Sequence, residues 1–182
     1  MLRREVRERL RTMPEDQRVA ASAQARALLA TQAQWQNAAS VLFYAPTAME
    51  VDVWPLLEES LAAGKTVALP RFEEATGAYV ACRITNPKED VQSGCFGIRE
   101  PNERRARDEI SRLDLILVPG LAFDLHGRRL GKGRGFYDQL LAMLRGTTCG
   151  VTFDEQVVSE VPVEPHDIRL DYLLTPTRWV EA

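Results

Sequence analysis

Three observations predict an α/β sandwich, a three-layer α/β/α arrangement with a largely parallel, Rossmann-like central sheet. Short apolar runs alternate with stretches of helical spacing along the chain. One run, residues 113–118, is apolar almost throughout, as suits a strand buried on both faces. Pro46 and Pro70 each follow such a run and punctuate it. Alternation of this kind leads to strands joined by crossover helices.

The elements are predicted in order. Leu2, Val6, Leu10 and Met13 recur at helical spacing, and Arg3, Arg7 and Arg11 form a second, basic stripe on the same helix. Pro14 suits the first turn of a second helix that carries Val19, Ala23, Leu28 and Leu29 to about Gln34. Residues 40–45 read as a strand, 51–63 as a helix (Val53, Leu56, Leu57, Leu61) stopped by Gly64, and 66–69 as a strand closed by Pro70. Residues 79–84 read as a third strand. The charged stretch 85–108, with Pro87, Gly94, Gly97 and Pro101, reads mostly as loop. After 113–118 come a glycine-rich segment, a helix over about 136–144, and strands over 149–153 and 171–175. Ligands in parallel sheets bind beyond the carboxyl ends of strands. The points after Ala45, Leu69, Val118 and Phe153 should therefore share one rim, gathering Glu50, Arg71, the glycine segment and Asp154.

The 182 residues, 45% of them hydrophobic, suit one domain spanning 1–182. A net charge of −3 gives no reason to expect nucleic-acid binding. Three dispersed cysteines without a Cys-x-x-Cys pattern suggest a reducing compartment. No apolar run is long enough to span a bilayer and no signal peptide is legible, so a cytoplasmic protein is expected. His126, His166 and the cysteines form no recognisable zinc site.

The most telling segment is Gly127-Arg128-Arg129-Leu130-Gly131-Lys132-Gly133-Arg134-Gly135-Phe136-Tyr137-Asp138. Alternating glycines allow close backbone approach and left-handed conformations, so successive N–H groups can turn inward on an anion. Two cations and a carboxylate complete the ingredients of a metal–nucleotide phosphate site. The segment is not a Walker A loop: three residues separate Gly127 from Gly131, and glycine follows Lys132. It fails the Gly-x-Gly-x-x-Gly dinucleotide fingerprint because position 136 is Phe. A bare glycine-rich loop could equally be a solvated connection, but Leu130 and the Phe136–Tyr137 pair are suited to anchoring both of its ends.

The run Val118-Pro119-Gly120-Leu121-Ala122-Phe123-Asp124, followed by the segment from Gly127 to Asp138, closely resembles the 5-formyltetrahydrofolate cyclo-ligase (methenyltetrahydrofolate synthetase) family. The likeness extends to Tyr44 through Val51, to Leu69-Pro70-Arg71, to the Gly-Ile-x-Glu-Pro of 97–101, and to a closing stretch from Pro162 to Thr175. The resemblance implies an ATP- and Mg²⁺-dependent ring closure of 5-formyltetrahydrofolate. It implies an ATP site at Arg129, Leu130, Gly131, Lys132, Gly133, Arg134, Gly135, Phe136 and Tyr137, with Lys132, Arg134 and Tyr137 as candidate catalytic residues. Arg134 is the expected closer phosphate contact. It implies folate contacts from Ala45 and Glu50, and from Lys132, Gly133, Arg134, Gly135 and Phe136. Asp138 is the expected Mg²⁺ ligand and Asp167 a second candidate. The family carries Lys-x-x-Leu-Arg near the N-terminus. Here no lysine precedes Leu2-Arg3: either the native chain starts earlier, or Arg4 or Arg7 takes the lysine's place, and Arg3 is the expected nucleotide contact. The partners implied are small molecules, without nucleic acid or membrane, and a monomer is expected. Two other readings are a non-catalytic folate- or RNA-binding relative, and a different enzyme on the same fold class, such as a sugar-phosphate isomerase.

Overall fold

The computed structural model describes residues 1–94, 97–105, 109–133, 135–162, 164 and 167–182. Its helices are α1 (Leu2–Thr12), α2 (Glu15–Ala30), α3 (Ala33–Asn37), α4 (Trp54–Ala62), α5 (Pro87–Asp90) and α6 (Phe136–Met143). Its strands are β1 (Ser40–Leu42), β2 (Thr66–Glu73), β3 (Ala78–Ile84), β4 (Val91–Ser93), β5 (Arg99–Pro101), β6 (Arg112–Val118), β7 (Ala122–Phe123), β8 (Arg129–Leu130), β9 (Arg145–Val151), β10 (Tyr172–Leu174) and β11 (Trp179–Glu181). The main sheet runs β11-β10-β9-β6-β1-β2-β3. Its four inner pairings are parallel and its two outer ones antiparallel.

Strand alternation sorts the core into two layers. Val41, Leu115 and Leu117 face one way, packing with Val6, Leu10, Leu29, Trp35 and Leu57 of α1–α4. Leu42, Ile116 and Val118 face the other, against Leu140 and Leu141 of α6. This is the expected three-layer sandwich, with the strand over 113–118 at its centre.

Several boundaries differ from the sequence reading. The second helix stops at Ala30, because the Thr31 hydroxyl and the Gln32 amide both donate to the Leu28 carbonyl at 2.7 and 3.0 Å. Such side-chain bonds compete with helix continuation, and the restart as α3 lets Trp35 enter the core. The next helix begins at Trp54 rather than residue 51: Asp52 Oδ1 accepts the Trp54 N–H, and Pro55 occupies the first turn. Pro70 does not end its strand. Ala68 gives its carbonyl to Phe43 N, but β1 has ended by Pro70, so the missing N–H falls on an open edge. β2 thus continues to Glu73 in a hairpin with β3. The segment read as loop contains α5 and the β4–β5 hairpin.

Asp90 ties that segment down. Its Oδ2 accepts N–H from Thr85 and Asn86 and the Thr85 hydroxyl, and its Oδ1 pairs with Arg105 Nε at 2.9 Å. Burial pushes the carboxyl upward, but Arg105 and the N–H donors outweigh it and hold the pKa at about 2.

Candidate functional site

A cleft of about 280 Å³ opens beyond the carboxyl ends of β1 and β6, beside the middle of β2. Tyr44 and Ala45 follow β1, Pro70 lies in β2, and Pro119 and Gly120 follow β6. One wall is the glycine segment and the start of α6, with Arg129, Gly131, Lys132, Gly135, Phe136, Tyr137 and Asp138. The opposite wall is Ile98, Arg99 and Glu100, with Tyr79 from β3. A neighbouring cavity of about 360 Å³ shares Glu50, Gly120 and Lys132, and receives Arg7 and Arg11 from α1.

Arg129 is the pin of the first wall. Only 7% exposed, it pairs through Nη2 with Asp138 Oδ1 at 2.6 Å and reaches the Pro119 carbonyl through Nη1. Its guanidinium lies 5.8 Å from the Tyr137 ring centroid. A side chain at position 120 would collide with this arrangement: a Cβ there would stand 2.9 Å from Arg129 Cγ and 2.6 Å from Phe123 Cζ. The glycine of the Pro-Gly pair is therefore needed for Arg129 to reach Asp138.

Glu50 is fixed from two sides. Its Oε2 accepts the N–H and hydroxyl of Thr47, both at 2.9 Å, and its Oε1 meets Lys132 Nζ at 2.6 Å. Lys132 is the exposed partner, at 52% against 9% for Glu50. The pair lies where the two cavities meet. Burial, and then the nearby Glu50 charge, raises the phenols of Tyr44 and Tyr137 well above their usual range, so both are neutral donors. Tyr44 gives its hydrogen to the Val51 carbonyl at 2.7 Å. The Tyr137 hydroxyl has no hydrogen-bond partner among the described residues.

An aromatic layer backs the cleft. Phe72, Tyr79 and Phe136 pack mutually with ring centroids 5.4–5.5 Å apart, and Tyr137 lies 6.2 Å from Tyr79.

Most of the residues expected from the sequence converge here. Ala45, Glu50, Arg129, Gly131, Lys132, Gly135, Phe136, Tyr137 and Asp138 line the cleft. Arg3 reaches the loop from α1, its Nε 3.4 Å from the Gly131 carbonyl. Arg4 lines a surface hollow with Met1, Glu5 and Arg9 instead. Arg134 lies outside the described residues. Asp167 closes a turn, accepting the Glu164 N–H at 2.6 Å, and is absent from the described cleft lining. The shared rim holds for Glu50 and the glycine segment but not for Asp154, which binds Thr177 and Arg178, nor for Arg71. Sequence reasoning missed Tyr79 and Glu100, which enter through the antiparallel edge and the small hairpin.

Among the described residues no group of three or more His, Cys, Asp or Glu could hold a metal ion, and no helix is long and apolar enough to cross a membrane. Asp138 offers one oxygen not engaged by Arg129. A single carboxylate completed by water and phosphate oxygens fits Mg²⁺, which seldom takes an all-protein cage.

The model of the 5-formyltetrahydrofolate cyclo-ligase family matches residues 1–176. The chain belongs to this family. The 5-formyltetrahydrofolate cyclo-ligase of Escherichia coli K12 is 32% identical over 178 residues, 95% of this chain and 97% of that protein. The mouse protein of that name is 29% identical, covering 95% of this chain and 91% of its own length. The NMR structure of Aquifex aeolicus 5,10-methenyltetrahydrofolate synthetase superposes with a TM-score of 0.87 at 33% identity, covering 99% of this chain and 90% of that one. The Mycoplasma pneumoniae 5,10-methenyltetrahydrofolate synthetase shares the fold, with a TM-score of 0.71 at 18% identity. Across the cyclo-ligase family match, the glycine segment and both cleft walls lie within the matched residues.

Proposed function

We propose that this cyclo-ligase family member closes 5-formyltetrahydrofolate to 5,10-methenyltetrahydrofolate with ATP and Mg²⁺, releasing ADP and phosphate. A formyl amide is a weak electrophile with a poor leaving oxygen. Attack of the formyl oxygen on the γ-phosphorus breaks the bond to ADP and leaves that oxygen phosphorylated, still bonded to carbon and now a good leaving group. Attack of N10 on the activated carbon then expels phosphate, N10 loses its proton, and the methenyl bridge is complete.

The residues have distinct tasks in this reading. Lys132 and Arg134 neutralise transferred phosphate, and the amides of Gly131, Gly133 and Gly135 cradle it. Arg3 holds the nucleotide from α1. Glu50 orients the folate amine that attacks, once Lys132 turns to phosphate. The neutral Tyr137 hydroxyl donates to an oxygen of the reacting group. Asp138, oriented by Arg129, would hold Mg²⁺, which when bound offsets charge on the phosphates. Ala45 and Phe136 flank the folate.

The observation that carries the reading is the single cleft in which Glu50, Lys132, Tyr137 and Asp138 meet a glycine-rich loop. The purified protein should form a near-ultraviolet methenyl chromophore from 5-formyltetrahydrofolate only with ATP and Mg²⁺ together. Folded protein that gives no product under those conditions refutes it.

A further inference from the structure

Three carboxylates line the cleft, and two of them have cations: Glu50 with Lys132, Asp138 with Arg129. The third, Glu100, has none among the described residues. It is only 8% exposed, and its one partner among the described residues is the Phe72 N–H, 3.2 Å from Oε2. A carboxylate so far removed from water is costly unless donors satisfy it. One neutral N–H leaves most of its acceptor capacity unused.

The fold holds this carboxylate in place. Glu100 sits on β5, facing the opposite way from Arg99, whose guanidinium lies 3.5 Å from the Trp54 ring centroid. Gly94, across the β4–β5 hairpin, has no Cβ, and any side chain there would overlap the Glu100 carboxylate. Phe72, which supplies the N–H, packs its ring on Tyr79 and Phe136. An acceptor is thus fixed beside an aromatic layer suited to a flat ring.

We infer that Glu100 reads the donor edge of the pterin, accepting from its N3–H and 2-amino group while the ring rests on Tyr79 and Phe136. This rests on the folate reading of the cleft. The pterin edge offers two adjacent N–H donors, which a carboxylate matches as a pair. The triphosphate offers acceptors only, and it belongs with the cations of the other wall. Glu100 is a specificity residue, apart from the reacting formyl group.

The test is calorimetric titration with 5-formyltetrahydrofolate in the absence of ATP, alongside turnover. Glu100→Gln keeps the shape and an acceptor for Phe72 but loses the charge. Affinity for the folate should fall roughly 10- to 100-fold, as for loss of charge-assisted bonds, with the ATP KM unchanged. The analogue with methyl in place of the 2-amino group should bind wild type more weakly by a similar factor, yet lose little more in the variant. Losses that multiply independently, an unchanged folate affinity, or a raised ATP KM would each overturn the assignment. If Glu100→Gln does not fold, Glu100→Asp, one methylene shorter, carries the same comparison. Folate binding that depends on Glu100 without methenyl formation would refute the proposed activity and leave this inference standing.

Discussion

The two walls of the cleft are held by opposite strategies. The glycine wall is pinned by Arg129 and Asp138, which themselves line the cleft. The hairpin wall of Ile98, Arg99 and Glu100 is pinned by Asp90, which gathers N–H groups and Arg105 but does not line the cleft. In the proposed reading one wall therefore combines anchorage and chemistry in the same pair, and the other separates the two. Substitutions in the first should damage stability and turnover together; in the second, the two effects should come apart.

The sharpest break is Asp138→Ala, which should lower kcat by at least ~10²-fold if its carboxylate holds Mg²⁺. It also strands Arg129, so the unfolding midpoint in denaturant should drop as well. Arg129→Ala leaves a half-buried carboxylate without its cation and should cost about 3 kcal/mol, again with lost turnover. Denaturation and assay on one preparation test both; a variant with full activity and lower stability would contradict the shared anchor.

Asp90→Asn should cost about 2 kcal/mol while changing kcat little. Its folded pKa, about 2, lies below the ordinary aspartate value of 3.8. The contribution is therefore complete above about pH 4 and disappears as pH falls toward 2. Denaturation midpoints of wild type and variant should converge over that window, and a constant gap would show that Asp90 does not act through its charge. The smallest effect belongs to Arg99→Ala, which loses the stacking on Trp54 and should cost about 0.5–1 kcal/mol. A turnover defect without a stability change would move Arg99 from scaffold to substrate contact.

The same contrast explains what was legible beforehand. The centre of the sheet could be read because Leu115 and Leu117 serve one layer and Ile116 and Val118 the other, leaving an uninterrupted apolar run. The glycine wall could be read because its contacts fall within ten residues: Arg129 and Asp138 belong to one motif. The hairpin wall could not, since Asp90 works through neighbouring backbone N–H groups that any aspartate could find. Glu100 and Tyr79 depend on pairings of β2 with β3 and of β4 with β5. Pro70 misled the reading for a related reason. Its missing N–H matters only if a neighbouring strand is present, and β1 ends first.

The bond between Arg129 and Asp138 has a further consequence in chain statistics. It joins two points nine residues apart and closes the glycine-rich stretch into a small ring. The entropy of closing a chain grows with the logarithm of its length, so a ring this short excludes many conformations of the free segment. That ordering is met when the protein folds, before any phosphate arrives. A ligand entering the ring spends correspondingly less of its interaction energy on arranging the backbone around itself.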